Sequence, residues 1–153
     1  MTISRRAFVH RGTLVLGGFG MASCASQAAD TGDPRAKVGL LTDCHYADRA
    51  PAGTRHYRDS LEKVREAVSK LNAEGASLIF ETGDFIDAAP DVDTEIGFLR
   101  SIEREYARFR GDRHYVLGNH CVHTLTKKEF IDNCAMPRPY YSFDKHGHHF
   151  VIL

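Results

Sequence analysis

From Val38 onward the chain alternates short apolar runs with stretches whose apolar residues return at helical spacing, and this alternation narrows the fold more than any other feature. Val38–Leu41 is strand-like, and Leu61, Val64, Val68 and Leu71 fall on one helix face. Ser77–Phe80 is strand-like again, and Ile96, Leu99, Ile102 and Tyr106 mark a second helix. His114–Leu117 gives a third strand. After it, Thr126 and Glu129 have the spacing of a capping box that opens a third helix, which Pro137 and Pro139 close. Strand, helix and strand in repetition predict an α/β chain with a largely parallel sheet covered by helices. The tail, Tyr140 to Leu153, reads as two strands turned around Asp144 to Gly147.

The three parallel strands end in chemically unusual residues: Asp43-Cys44-His45, Gly83-Asp84 and Gly118-Asn119-His120. In an open α/β sheet these carboxyl ends line one edge, where ligands bind. Singly, Asp43 or Asp84 would serve as a helix cap and Gly-Asn as a turn. Capping does not explain histidine at two of three strand ends. Carboxylate and amide oxygens mixed with imidazole nitrogen suit Mn²⁺, Fe or Zn²⁺ better than Ca²⁺ or Cu(I). A carboxylate bridging two such ions holds them roughly 3.5 Å apart, the spacing used for in-line displacement at phosphorus.

Asp43-x-His45, Gly83-Asp84 and Gly118-Asn119-His120, on successive strand ends, resemble the first three motifs of the calcineurin-like metallophosphoesterase superfamily. The resemblance implies the N-terminal half of a metallophosphoesterase β-sandwich with flanking helices, a four-layer α/β/β/α fold that is incomplete here. It implies a hydrolase acting on phosphomonoesters, phosphodiesters or nucleoside-diphosphate derivatives through water activated by two divalent metal ions (Mn, Fe or Zn). Asp43 and His45 would hold one metal, Asp84 would bridge, Asn119 would hold the second, and His120 would be the catalytic group beside the leaving oxygen. A narrower likeness, in "YADRAPAGTRHYRDSLEKVREAV", "ETGDFID" and "LGNH", is to the manganese-dependent ADP-ribose/CDP-alcohol diphosphatase branch. That likeness places Arg55, Tyr57 and Arg58 above the metals as substrate-binding residues. The same three residues read equally well as the exposed start of an amphipathic helix.

Two departures from the superfamily pattern bear on activity. Cys121 stands where most members carry an acidic residue that supports the catalytic histidine, and a thiol is a weak acceptor, so His120 is expected to lose support. The later histidine and Gly-His-x-His element of the superfamily have no match, and His146-Gly147-His148-His149 is expected to be turn and strand. Because the chain stops on the apolar "HFVIL", truncation is expected, and the alternative reading is an inactive fragment or weak metal-binding module.

Twenty basic and twenty acidic residues leave no electrostatic reason to expect nucleic acid or an anionic membrane surface as partner; the partner that the resemblance implies is a phosphorylated small molecule. Ser4-Arg5-Arg6-Ala7-Phe8-Val9 resembles a twin-arginine export signal, followed by an apolar stretch too short and glycine-broken to span a bilayer. Residues 1–29 are therefore expected to be a signal read by the twin-arginine machinery, 30–36 a linker, and 37–153 the N-terminal part of the metallophosphoesterase-like domain. Cleavage before Cys24 would give a lipid anchor and cleavage after Ala28 a free periplasmic protein, and both stay open. Cys44, Cys121 and Cys134 form no CxxC pair, so neither a disulfide framework nor a structural zinc site is expected, with one disulfide open.

Overall fold

The computed structural model describes Phe8–His10, Thr13–Val15 and residues 36–153. The chain divides into two units, residues 1–32 and 33–153. In the first, β1 (Phe8–His10) pairs antiparallel with β2 (Thr13–Val15), Phe8 opposite Val15. The export signal, Cys24 and all but the last residue of the expected linker otherwise lie outside the described residues. Among the described residues no helix is long and apolar enough to cross a membrane.

The second unit is built on a parallel sheet of β3 (Val38–Leu41), β4 (Leu78–Glu81) and β5 (Asp112–Tyr115), with β4 central. Both crossovers are helical: α1 (Ser60–Ala73) joins β3 to β4 and α2 (Val92–Tyr106) joins β4 to β5. Every residue of β4 is buried, as a strand covered on both faces must be. Alternation along it separates two clusters. Ile79 packs with Val64 and Val68 of α1 and with Leu99, Ile102 and Tyr106 of α2. Leu78 and Phe80 point the other way, toward Phe143, Phe150 and Ile152.

Those last residues belong to the antiparallel hairpin of β6 (Tyr141–Lys145) and β7 (His148–Ile152). His146 and Gly147 turn it with φ of 50° and 74°, the pair of positive values that a two-residue hairpin turn requires. The turn-and-strand reading of His146-Gly147-His148-His149 holds, and His149 Nδ1 lies 2.7 Å from Asp144 Oδ1 across the ladder. On that side of the sheet β3 carries exposed apolar residues, Leu40 at 70%.

Two sequence expectations move. The third strand is Asp112–Tyr115 rather than His114–Leu117, because the register sets Leu78 opposite Asp112 and Glu81 opposite Tyr115, and ion pairs accommodate the polar start: Lys145 to Asp112 at 2.9 Å and Arg113 to Glu103 at 2.7 Å. The third helix, α3 (Lys127–Asp132), does open on the expected capping box of Thr126 and Glu129. It stops well before the prolines. Asn133 leaves helical geometry and its side-chain amide donates to Glu129 O at 2.8 Å, ending the helix locally.

Candidate metal centre

The strand ends do not simply stop. Past Leu41 and Glu81 the parallel pairing resumes through Asp43 N to Gly83 O (3.0 Å), His45 N to Asp84 O (2.8 Å) and Tyr46 N to Phe85 O (3.1 Å). Tyr46, Phe85 and Ile86 are buried, anchoring both extensions in the core. Between these anchors the backbone turns into the left-handed region at Asp43 (φ 54°), His45 (φ 44°) and Asp84 (φ 58°). An L-residue there costs roughly 1–2 kcal/mol, less for aspartate, and is retained only where surroundings enforce it. Three of the four candidate metal ligands carry this cost.

Two glycines close the site. Gly83 has φ 118°, open to glycine alone, and a Cβ on it would press Gly118 Cα at 3.3 Å. A Cβ on Gly118 would overlap the carboxylate and amide of Asp84. The β4 and β5 loops therefore touch backbone to backbone, and Asp84 Oδ1 accepts from His120 N at 2.9 Å.

Of the candidate ligands, His45 lies beside both Asp43 and Asp84. His45 Nε2 lies 3.6 Å from Asp43 Oδ1 and 3.6 Å from Asp84 Oδ2. One donor atom each from His45, Asp84 and His120 all lie within 4.8 Å of one another. His45 is buried and its Nδ1, 3.6 Å from Asp87 Oδ2, has no hydrogen-bond partner. Two imidazoles and a carboxylate at this separation, with Asp43 beside His45, fit a divalent cation of the Mn, Fe or Zn type, which binds O and N donors at roughly 2.0–2.2 Å. Asn119 is exposed, directly before the one-turn 3₁₀ helix His120–Val122 that carries His120.

Asp87 is the residue that sequence reasoning passed over. It is buried, with Oδ1 3.0 Å from His120 Nδ1 and accepting from Ala88 N at 2.8 Å. Its Oδ2 lies 3.1 Å from Arg49 and 3.1 Å from Arg55. Burial pushes its pKa up, but the Ala88 amide, the His120 ring and Arg49 outweigh that and hold it below the usual carboxylate range. An ionised carboxylate only accepts, so His120 Nδ1 carries the proton. The expected loss of support for His120 is thus corrected: Asp87 supplies it. Cys121 is fully buried in the core, its thiol pushed up to about 11 by burial and by Glu81. Asp87 stands three residues after Asp84, in "GDFID", and between them Phe85 and Ile86 are both buried. That spacing was the available signal.

Glu81, also unforeseen, is fully buried beneath the site at the end of β4. Its Oε1 accepts from Gly83 N at 3.0 Å and its Oε2 has no partner. Burial raises its pKa to about 8; the Gly83 amide opposes this and the Asp84 and Asp43 charges add to it. The residues expected to bind substrate divide. Arg55 is tied to Asp87 and Tyr57 is buried with the Arg49 guanidinium 4.0 Å above its ring, and both line a cavity with Asp43 and His45. Arg58 pairs with Asp48 at 2.6 Å and is not among the residues lining that cavity. Cys44, Cys121 and Cys134 are free thiols, so no disulfide forms among the described residues.

Residues 36–151 match the sequence profile of the calcineurin-like phosphoesterase family. Two manganese-dependent ADP-ribose/CDP-alcohol diphosphatases are distantly similar. The Arabidopsis thaliana protein is 26% identical over 130 residues, covering 78% of this chain and 42% of that protein. The Oryza sativa subsp. japonica protein is 29% identical over 136 residues, covering 82% and 42%. Among solved structures, a dimetal phosphatase from Danio rerio is similar at a TM-score of 0.60 and 26% identity, covering 65% of this chain and 34% of that one. The chain thus spans about two fifths of the length of the curated relatives it matches, and its parallel sheet with flanking helices corresponds to part of a metallophosphatase fold.

Proposed function

Since the chain belongs to the calcineurin-like phosphoesterase family, we propose that it hydrolyses phosphoester or phosphoanhydride bonds with the help of divalent cations, acting on a nucleoside-diphosphate derivative. The observation that carries this reading is the placing of His45 Nε2 3.6 Å from each of two carboxylates. Asp43, His45 and Asp84 would hold one ion, and Asp84 with Asn119 a second. Bound divalent ions supply charge neutralisation at phosphorus and lower the pKa of water.

The chain's own residues do the rest. Asp87 fixes His120 by accepting from Nδ1, which leaves Nε2 as the ring nitrogen available to substrate. As the imidazolium, which the Asp87 carboxylate stabilises, His120 would donate from Nε2 a proton or hydrogen bond to the oxygen leaving phosphorus. Asp84 orients His120 from the other side by accepting its backbone amide. Arg55 and Tyr57, at the cavity wall, position the remainder of the substrate. The diphosphate class is supported by the names of the two plant relatives. Export rests on the Ser4–Val9 signal resemblance.

A second reading, a metal-binding module without turnover, is favoured by the donor set proposed for the second ion, which among the described residues is Asp84 and Asn119. The deciding experiment is hydrolysis of ADP-ribose and bis(p-nitrophenyl) phosphate with and without Mn²⁺. Mn²⁺-dependent product release that Asp84→Asn abolishes supports the enzyme; release that survives in Asp84→Asn contradicts it. Metal binding without release supports the second reading.

A further inference from the structure

A cleft lies between the Thr42–His45 segment and the first turns of α1. One cavity there, of about 160 Å³, is lined by Asp43, His45, Thr54, Arg55 and Lys63 among others. An adjoining one, of about 200 Å³, shares Asp43, Cys44, Ser60 and Lys63. The cleft therefore opens beside Asp43 and His45 and runs along the helix, and Lys63 borders both parts. Lys63 follows Ser60 by one helical turn, and the Ser60 hydroxyl is committed to the Cys44 carbonyl, so the helix is fixed against the Asp43 segment.

The cations around this cleft are not equivalent. Arg49 and Arg55 each lie 3.1 Å from Asp87, Arg58 lies 2.6 Å from Asp48, and His56 lies 3.6 Å from Asp59. Lys63 has no carboxylate within ion-pair distance among the described residues. Lys63 is exposed at the rim, and the Asp43 carboxylate that shares the cleft lies 3.6 Å from His45 Nε2, so the ammonium is left to neutralise a charge brought from solution. A single phosphoryl group is served by the metal site. A second phosphoryl brings additional negative charge, and the paired arginines are already partly neutralised.

Resting on the proposed phosphohydrolase activity, we propose that this cleft is a subsite for the non-reacting phosphoryl group of a diphosphate substrate. Lys63 is its countercharge and the Thr54 hydroxyl a neighbouring donor. Lys63 thereby distinguishes diphosphates from monophosphates.

Calorimetric titration of the chain with ADP and with AMP, in Mg²⁺ and without turnover, tests this in the wild type and in Lys63→Gln. The wild type is expected to bind ADP more tightly than AMP. Lys63→Gln is expected to lose about tenfold in ADP affinity, the size of one charge-assisted hydrogen bond, and less than about twofold for AMP. Wild-type binding without preference for ADP, unchanged ADP affinity in the variant, or equal losses for both ligands would each overturn the proposal. Failure of the activity itself is read separately, as absent metal-dependent hydrolysis, and leaves an ADP preference intact.

Discussion

At Asp87 the His120 ring, the Arg49 and Arg55 guanidiniums and the Ala88 amide converge on one buried carboxylate. Asp87→Asn keeps the shape but removes the charge that fixes the His120 tautomer. Turnover is expected to fall at least about tenfold with little change in KM, measured by steady-state kinetics with Mn²⁺. Glu81 acts on stability instead. Its folded pKa of about 8 lies above its ordinary 4.5, so between these values the unfolded chain has released a proton that the folded chain keeps. Unfolded binds fewer protons, and stability therefore falls as pH rises through that window, by up to about 1.4 kcal/mol per pH unit. Metal-free Glu81→Gln, unfolded in urea at pH 5 and pH 8, is expected to be the more stable protein at pH 8 and to lack most of the decline; a wild-type-like slope would count against it. Cys121→Asp, which places a carboxylate in the core, is expected to lower Tm by roughly 10 °C or more rather than tune His120.

The elements were legible where pattern and packing agree. Val38–Leu41 and the capping box at Thr126 and Glu129 are local signals, apolar periodicity and a fixed spacing, and both appear as read. The start of β5 was hidden because its first residues, Asp112 and Arg113, are polar and are placed by a register and by ion pairs from other elements. Asp87 and Glu81 were hidden for a related reason: only the folded chain shows that His120 from the β5 end reaches the first and that the Gly83 amide folds back on the second. The loop contact at Gly118 makes its own prediction. Gly118→Ala forces apart the Asp84 and Asn119 loops, and Mn²⁺ affinity by calorimetry is expected to fall at least about tenfold while circular dichroism stays that of the wild type. Left-handed backbone at Asp84 gives a second. Asp84→Gly is expected to unfold at higher temperature than Asp84→Ala, since glycine alone removes the roughly 1–2 kcal/mol cost there.

In the second unit as a whole, a helix-covered parallel sheet holds three loops at its carboxyl edge, and the other face is covered by a hairpin over β4 and β5 while Leu40 of β3 stays exposed. The helix side is a finished core, with Leu99, Ile102, Tyr106 and Tyr115 fully buried. Rigidity on that side lets the loops keep left-handed backbone at Asp43, His45 and Asp84, and thereby brings two carboxylates to one imidazole. The central claim is that this convergence is a divalent cation site. Titrating Mn²⁺ into the chain and into Asp84→Asn tests it directly, because asparagine tolerates the left-handed backbone and removes only the charge. Binding in the wild type, weakened at least about tenfold in Asp84→Asn, is the expected result; equal affinity in the two proteins, or no binding in either, would contradict the account.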